Sequence, residues 1–484
     1  SQPMSSPIPA TRSSLRRIWP AHVPPVRRRE LLAWASYDFA NSGYTTVVIT
    51  AVFNAWFVAV IAGGADWATL AWTLALSASY ALVIVISPVL GVHADRHAAK
   101  KRWLALSTAV CVLATAALAL CGPGMIGLAV VLIIVSNLAY SLGENLIAAF
   151  LPELAADDAM GRLSGYGWAL GYVGGLVVLA LCLVWIQTAP ARGASETQAV
   201  PQSMLITAVL FALAAAPALL VLRERAQPQV GAKPGPAHAR SVTAASAPIA
   251  SRRGPAWTVV WTRAWSLSWA RLRQALDSVR ELTDLRRLLA CIVCYQSGVA
   301  TVITVAAIFT TQALGFSQQE SIVLILVVNI TAAIGAFAFG RFQDRLGHRL
   351  TLALTLAGWL LAIVVFYLAD AGAGIWLAAN LAGLCLGASQ SAGRALVGYL
   401  CPPARKAEIF GLWGVAVRLA MIIGPVSYGL ISWLSAGNHR AALLATAVFF
   451  IGGLLLLTRV DVERGHRQAR AMAAPAPEPA LPAA

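Results

Sequence analysis

Two six-residue stretches decide the fold of this chain: Gly91–Arg96 (GVHADR) and Gly340–Arg345 (GRFQDR) repeat the pattern G-x-x-x-D-R at a spacing of 249 residues. Further matches fall at a spacing of 250. These matches pair Gly143 with Gly393, Glu144 with Arg394, Pro152 with Pro402 and Gly161 with Gly411. Agreement at nearly one spacing predicts an internal repeat, so the chain consists of two related halves.

Apolar segments surround both copies of the pattern. Hydrophobic residues make up 59% of the 484 residues and charged residues 12%, whereas soluble domains contain about 45–50% and about 25%. A membrane-spanning helix needs about 20 apolar residues, and continuous runs of that length favour helices over the alternating strands of a barrel. The sequence predicts an all-α membrane protein with twelve transmembrane helices, at 31–62, 70–92, 103–122, 125–150, 165–187, 203–222, 286–313, 320–341, 350–369, 373–400, 408–436 and 439–458.

A polar stretch divides the twelve predicted spans into six and six. Both halves then start on the same side of the membrane, so the repeats are parallel and related by an axis along the membrane normal. The predicted organisation is a disordered cytoplasmic tail (1–30), a six-helix bundle (31–222), a cytoplasmic linker (223–285), a second six-helix bundle (286–460) and a second disordered cytoplasmic tail (461–484).

The net charge of +16 predicts the orientation of the chain. An even number of spans places both termini on one side, and nearly all Lys and Arg residues fall there. The opposite loops contain Arg192 and Arg440, while Arg394 and Arg418 lie within spans. Because cytoplasmic loops are enriched in Lys and Arg, we expect cytoplasmic termini and a bacterial inner membrane. The first 30 residues lack the apolar core of a signal peptide, and the charge distribution does not indicate nucleic-acid binding.

Four ionisable residues lie inside predicted spans, where charges are costly and mark functional sites: Asp38, Glu144, Arg394 and Arg418. One hypothesis is that Glu144 and Arg394 pair when a cytoplasmic gate is closed; the alternative is that each has a partner within its own half. Arg418 is the candidate for binding a substrate carboxylate through two hydrogen bonds, unless Asp38 or another carboxylate neutralises it. If transport is proton-driven, Asp38 is the first candidate for the titrating group and Glu144 the second.

Other polar and aromatic residues within spans are candidates for the wall of a substrate cavity, although each alone is more often a hydrogen bond between helices. These candidates are Asn41, Tyr44, Asn137, Tyr140, Asn145, Trp168, Tyr172, Tyr295, Gln296, Asn329 and Gln390. The repeated loop supplies further gating candidates, since its glycines permit close helix approach, its aspartates can cap helices and its arginines can form charge-assisted links. These gating candidates are Gly91, Asp95, Arg96, Gly340, Asp344 and Arg345.

The linker contains a second pattern. Trp257, Trp261, Trp265 and Trp269 recur every fourth residue, with mostly basic residues on the other faces. This pattern predicts an amphipathic helix over 256–282 that lies on the anionic inner leaflet. The alternative is a helix packed beneath the cytoplasmic face of the protein.

The doubled G-x-x-x-D-R resembles the loop signature of the major facilitator superfamily. Three longer stretches resemble one branch, the autophagy-related vacuolar amino-acid effluxers and their bacterial relatives: Trp34–Ser42 (WASYDFANS), Gly161–Tyr172 (GRLSGYGWALGY) and Gly387–Arg394 (GASQSAGR). The resemblance implies the major facilitator fold and transport by alternating access. The chain departs from the branch in the seventh span, where Tyr295–Gly298 (YQSG) has no carboxylate in place of a Y-x-D-G pattern.

These observations favour a secondary active transporter of a small polar solute, an amino acid or a related organic anion, with or without proton coupling. The alternative is an exporter of a more hydrophobic compound such as a drug, a siderophore or a lysolipid. We expect no enzymatic activity, because the sequence lacks nucleotide-binding and hydrolase motifs. Neither a cofactor nor a metal is predicted, since the CxxC of Cys291 and Cys294 has no nearby His or second CxxC. We expect a monomer whose partners are its solute and membrane lipids.

Overall fold

The computed structural model describes residues 26–225, 277, 279–308, 318–369, 372–435 and 439–472. Within these ranges the chain is helical, and a long helix coincides with each predicted span. The spans are α1 (Arg28–Ile61), α2 (Ala68–Arg96), α3 (Lys100–Ala117), α4 (Ile126–Ala148), α5 (Met160–Gln187), α6 (Glu196–Val221), α7 (Thr283–Ile308), α8 (Gln318–Leu346), α9 (His348–Leu368), α10 (Ala373–Tyr399), α11 (Lys406–Leu434) and α12, which consists of His439–Ala445 and Ala447–Thr458.

Eleven helices of the described part are long and apolar enough to cross a membrane. The helix outside that set is α10, which is 27 residues long and carries Asn380, Gln390 and Arg394 along its length. Large apolar side chains on the outer surface of the bundle are exposed in the isolated chain, for example Leu113 at 70% and Leu220 at 80%. An outer surface of this kind is what contact with lipid tails requires, so the chain is an integral membrane protein.

The first span departs from regular α-helix. Its residues Arg28–Tyr44 are α-helical, and π-helical turns follow at Thr45–Ala51 and Phe57–Ile61. π-helical turns widen the helix locally and frequently occur at functional sites. Here the first π-turn begins four residues after Asn41, in the part of α1 that carries candidate site residues.

Two boundaries of the predicted tails are wrong. The first span begins at Arg28, and Glu30 is buried, so the tail predicted over 1–30 ends earlier. The segment predicted as a disordered tail over 461–484 contains a helix, α13 (Val462–Ala471), whose N-terminus is capped by Asp461. The amphipathic helix predicted over 256–282 lies almost entirely outside the described residues and stays a prediction.

The two halves meet along two seams. Within the halves, α1 packs against α5 and α6, and α8 packs against α10. Between the halves, α2 packs against α11 and α5 packs against α8. Glycine makes these seams tight: a Cβ on Gly91 would lie 2.4 Å from the carbonyl oxygen of Ala407, and one on Gly165 would lie 2.4 Å from that of Ala336. The seams place the inward-facing side chains of both halves in contact.

The seams also correct the alignment of the repeat. A Cβ on Gly411 would meet the carbonyl oxygen of Ser87 at 2.8 Å. On the seam between α5 and α8, Gly165 occupies the position that Gly411 occupies on the seam between α2 and α11. In the same way, Gly161 occupies the position of Ala407. The starts of α5 and α11 therefore correspond at a spacing of 246, one helical turn less than the spacing that paired Gly161 with Gly411.

Candidate functional site

A buried ion pair joins α1 of the first half to α10 of the second. The guanidinium of Arg394 donates two hydrogen bonds to the carboxylate of Asp38, at 3.1 and 2.8 Å. It also donates to the Ser164 side chain at 3.2 Å and backbone carbonyl at 2.9 Å. The side chains of Asp38 and Arg394 are 9% and 3% exposed. The partners of Arg394 thus come from the opposite half.

Aromatic rings and one glycine shape this pair. The Arg394 guanidinium lies over the rings of Trp34 and Trp168, 4.8 and 5.3 Å from their centroids, where a cation is attracted to the ring face. Gly167 leaves the space that the pair occupies, since a Cβ there would lie 2.2 Å from Asp38 Oδ2. The stretch Gly161–Tyr172 of α5 therefore closely surrounds the ion pair, whose two residues come from α1 and α10.

A second ion pair joins α4 of the first half to α11 of the second. Arg418 Nη2 donates to Glu144 Oε2 at 2.6 Å, and Arg418 Nε donates to Ser141 Oγ at 3.2 Å. The other carboxylate oxygen of Glu144 accepts a hydrogen bond from the hydroxyl of Tyr140 at 3.2 Å. The Glu144 side chain is 15% exposed. Arg418 is neutralised by a carboxylate, and that carboxylate is Glu144 rather than Asp38.

The predicted pairing of Glu144 with Arg394 is wrong, and so is the alternative that each pairs within its own half. Both residues pair across the halves but with other partners, because α10 directs Arg394 onto α1 while α11 directs Arg418 onto α4. Four charges that are costly within a membrane thereby form two neutral pairs. Separation of the halves at this level must break both pairs.

The repeated aspartates link the halves at the end of the bundle where α2 leads into α3 and α8 into α9, here called the basic end. Asp95 accepts hydrogen bonds from the backbone N–H groups of Ala407 and Glu408 at 3.1 and 2.9 Å. Asp344 accepts from Gly161 and Arg162 at 2.8 and 3.0 Å. Each carboxylate satisfies free N–H groups in the first turn of a helix in the other half.

The arginines of the repeat do not make the links expected of them. Arg96 and Arg345 are exposed, and neither forms an ion pair with a described residue. The ion pair next to Asp344 is made instead by Arg162, whose Nε lies 3.7 Å from Asp344 Oδ2. The aspartates and glycines of the pattern thus fix the contact between the halves, and its arginines lie at the surface.

A cluster of charges around Glu153 closes the basic end further. The Glu153 carboxylate contacts the ammonium groups of Lys100, with which it is hydrogen-bonded, and of Lys406 from the other half, at 3.7 Å. It also accepts from the backbone N–H of Arg225 at 3.1 Å, and the Arg225 guanidinium pairs with Glu30 at 3.0 Å. Buried charges persist where they are paired in this way.

The remaining candidates differ in what their side chains contact. Some join helices: Tyr44 bonds to Ser136 and stacks on Tyr140, Asn145 donates to Ser87 at 2.8 Å, Asn137 donates to Ser79, and Gln296 donates to Gln390 at 2.5 Å. Asn329 donates to the backbone of Ile325 in its own helix, so its hydrogen bond is local. Tyr172 stacks on Trp168.

Four candidate residues contain buried polar atoms that have no hydrogen-bond partner among the described residues. These atoms are both amide atoms of Asn41, the amide oxygen of Asn145, the indole nitrogen of Trp168 and the hydroxyl of Tyr295. Buried polar groups in native structures are normally satisfied. Asn41 lies one turn along α1 from Asp38, and Trp168 faces Arg394. Two of these residues, Asn41 and Trp168, therefore lie near the first ion pair.

Several site residues were not predicted from the sequence. Ser141 and Ser164 hold the two arginines, and Tyr80 lies with its ring 5.7 Å from the Arg418 guanidinium. Serine within an apolar helix gives no distinctive signal, and Tyr80 carries the same signal as the tyrosines that were named as candidates. Glu153 and Lys406 lie just outside the predicted spans and resemble ordinary loop charges. Only their burial in the folded chain distinguishes them.

Comparisons with known proteins agree with this architecture. The family model described as "Vacuole effluxer Atg22 like" matches residues 57–470. The uncharacterized MFS-type transporter YxiO of Bacillus subtilis is 23% identical over 438 residues, which cover 89% of this chain and 94% of that protein. Autophagy-related protein 22-1 of Aspergillus fumigatus is 26% identical over 330 residues, which cover 65% of this chain but only 50% of the fungal protein.

Solved structures of low sequence identity share the fold. The proton:xylose symporter XylE superimposes with a TM-score of 0.66 at 15% identity, covering 92% of this chain and 98% of the symporter. The human organic anion transporter MFSD10 (TETRAN) superimposes with a TM-score of 0.63 at 15% identity, covering 90% of this chain and all of that one. At such identities the likeness concerns the arrangement of helices alone.

Proposed function

This chain belongs to the Atg22-like family of major facilitator superfamily transporters, and we propose that it moves a small polar solute, an amino acid or a related organic anion, by alternating access. The observation that carries the proposal is that two buried ion pairs join the halves. Charges inside a membrane protein mark substrate and ion pathways, and these four would be exposed or exchanged whenever the halves separate.

Arg418 is the proposed anchor for the solute carboxylate. Its guanidinium can bind a carboxylate with two hydrogen bonds, and its present partner Glu144 is the more exposed of the two paired carboxylates. A solute carboxylate would displace Glu144 from Arg418. The unsatisfied side chains of Asn41 and Trp168 would supply further polar contacts, and Tyr44, Tyr140, Asn145, Tyr172, Tyr295, Gln296 and Gln390 would form the surrounding wall.

Proton coupling would use one of the two paired carboxylates. Protonation removes the charge that holds the partner arginine, so it would release the link between the halves. Asp38 and Glu144 are the two candidates for this role. In the proposed cycle Glu144 loses its arginine to the solute and takes up a proton, while Asp38 holds the halves together until the gate opens.

The gate is proposed to lie at the basic end. Opening there would release the aspartate links of Asp95 and Asp344, the close contacts of Gly91 and Gly340, and the Glu153 cluster. Their present arrangement corresponds to a closed basic end. By the positive-inside rule we assign the basic end and both termini to the cytoplasm. We count α10 as a span as well, which makes twelve, and assign the protein to a bacterial inner membrane. Fusion of a fluorescent protein to residue 472 tests this orientation, since fluorescence is expected only from the cytoplasm.

The decisive experiment is solute-dependent flux in proteoliposomes that contain the purified chain. A thermal-shift screen of amino acids, organic anions and apolar compounds first identifies ligands, because a ligand of the folded state raises the apparent stability. The proposal predicts stabilisation by a carboxylate-bearing solute and loss of this effect in Arg418→Lys, with Arg102→Lys as an exposed control. Stabilisation by apolar compounds alone would favour the exporter alternative, and absence of flux for every stabilising ligand would contradict transport.

A further inference from the structure

A groove runs along the outside of the seam between α5 and α8. It has a volume of about 470 Å³ and is lined almost entirely by apolar atoms, with Tyr166 and Val173 from α5 and Ile334 and Phe337 from α8. All four side chains are between 36% and 53% exposed in the isolated chain. Both helices cross the membrane, so lipid is the material that faces this groove.

The end of the groove nearest the basic end is different in chemistry. The rings of Tyr166 and Phe337 lie 5.5 Å apart. The guanidinium of Arg341 covers both, 3.8 Å from the Phe337 centroid and 5.1 Å from that of Tyr166. Stacking on two rings holds the guanidinium in place. Its Nη1 donates a long hydrogen bond of 3.5 Å to the carbonyl of Phe337, and its other N–H groups remain for a ligand beside the groove.

A second cation lies at the same mouth. Arg162 precedes Tyr166 by one helical turn, and its side chain is 49% exposed. The nearby carboxylate of Asp344 accepts hydrogen bonds from the backbone N–H groups of Gly161 and Arg162 and also lies 3.7 Å from the Arg162 Nε. Asp158 adds a second acidic group in the vicinity of Asp344. An apolar channel that ends at two guanidinium groups complements a molecule with an acyl chain and an anionic head.

We propose that this groove binds an anionic phospholipid, with an acyl chain along α5 and α8 and its phosphate on Arg341 and Arg162. Basic pockets between transmembrane helices bind such headgroups. Because one wall comes from each half, a bound lipid ties α5 to α8 and stabilises the arrangement in which the basic end is closed. The site is independent of the transported solute.

The repeat provides an internal contrast. The residue that corresponds to Arg341 on the other seam, at the spacing of 249, is Val92. The seam between α2 and α11 therefore lacks the cation at the equivalent position. Selective binding of an anionic headgroup is expected on one side of the molecule only, and Arg341→Val converts the proposed site to the residue of the other seam.

The test measures lipid binding by native mass spectrometry and by thermal unfolding of the full chain in detergent. Phosphatidylglycerol is compared with phosphatidylcholine of the same acyl chains, and with glycerol phosphate and inorganic phosphate as headgroups without chains. Phosphatidylglycerol is expected to stabilise the unaltered protein and the control Arg102→Val, which removes an exposed arginine elsewhere at the basic end. In Arg341→Val its affinity is expected to fall roughly tenfold, the change typical of one lost charge-assisted hydrogen bond.

A second variant keeps the test informative if Arg341→Val fails to fold. Ala169 of α5 also lines the groove. Ala169→Phe fills the groove without changing any charge, and it is expected to weaken binding of both phospholipids. Equal stabilisation of Arg341→Val and the unaltered protein by phosphatidylglycerol would overturn the proposal. So would equal affinity for the two phospholipids, which indicates ordinary lipid contact, or stabilisation by inorganic phosphate as strong as that by the lipid, which indicates an anion site without an acyl chain.

Discussion

The two ion pairs that cross between the halves differ in how completely they are enclosed. Arg394 forms two hydrogen bonds with Asp38 and also contacts a serine and two aromatic rings. Both side chains of the pair are nearly inaccessible. Glu144 and Arg418 share one hydrogen bond, and the carboxylate is partly exposed. On the proposed function this difference separates two roles: the enclosed pair would hold the halves together, and the more open pair would exchange partners with a solute.

Removal of Arg394 is expected to have the largest effect. Arg394→Ala leaves the Asp38 carboxylate buried without its partner, and breaking a buried pair from one side costs about 3–5 kcal/mol. Chemical unfolding of the purified protein in detergent measures the loss. The double variant Asp38→Ala with Arg394→Ala is expected to recover part of it, because no unpaired charge remains.

The control for this prediction is Arg96→Ala, which removes an exposed arginine and is expected to change stability by no more than about 0.5 kcal/mol. If Arg394→Ala costs no more than Arg96→Ala, the enclosed pair does not hold the halves together. The contrast between the two pairs would then have no structural basis.

A methyl group at Gly167 tests the enclosure itself. In Gly167→Ala the new Cβ would lie closer to Asp38, Arg394 and Trp34 than van der Waals contact allows. Overpacking of this kind costs about 1–3 kcal/mol. The matched control is Gly127→Ala in α4, where a Cβ meets nothing within 4 Å. Thermal unfolding of both variants is the measurement, and equal stabilities would mean that the site relaxes around the methyl group.

The sequence predicted the helices of this chain well but not the contacts between them. Each predicted span is a helix whose described bounds agree with the prediction to within seven residues, because hydrophobic length is a local property. The ion pairs join residues 356 and 274 positions apart, and their pairing depends on how one half is rotated against the other. The four charges were identified from the sequence, and Glu144 was paired with Arg394 because the repeat places them at equivalent positions.

Two other differences between the sequence prediction and the structure also depend on contacts between distant parts of the chain. The spacing that matched Gly161 to Gly411 missed a change of one turn between α5 and α11, which only the seam contacts reveal. The helix α13 is too polar to resemble a packed element. It is nevertheless held by the carboxylate of Asp284, which accepts two hydrogen bonds of 2.7 Å from Arg464.

Neutralising the more open carboxylate sharpens the assignment of Arg418. Glu144→Gln removes the charge that competes for the guanidinium, so a carboxylate-bearing solute is expected to bind roughly tenfold tighter, equivalent to about 1.4 kcal/mol. Asp38→Asn is the matched change at the enclosed pair, and it is expected to leave affinity nearly unchanged while lowering stability. Ligand titrations followed by thermal shift compare the two. Tighter binding in Asp38→Asn rather than in Glu144→Gln would reverse the proposed roles.

The aspartate caps at the basic end are expected to contribute less. Asp95→Asn weakens the hydrogen bonds to the start of α11 and should cost about 1 kcal/mol, as typical helix caps do. Opening of the basic end can be followed through Cys401, which is buried there in the closed arrangement, by maleimide labelling with identification of the labelled cysteine. Labelling is expected to rise in Asp95→Asn and not in Asp66→Asn, an exposed residue. Unchanged labelling would mean that the buried pairs alone keep this end closed.

An exposed ion pair between the halves extends the comparison of the two buried pairs to the surface and should matter least. Arg470 of α13 donates to Asp157 at 2.6 Å, and the two side chains are 45% and 37% exposed. Exposed pairs contribute about 0–1 kcal/mol and are screened by salt. Arg470→Ala is therefore expected to lower stability slightly at low ionic strength and not at 1 M salt, where the Debye length is about 3 Å. A loss that persists in high salt would indicate that α13 is held to the first half by packing of the arginine stem, so that burial of the charge would no longer rank the three pairs.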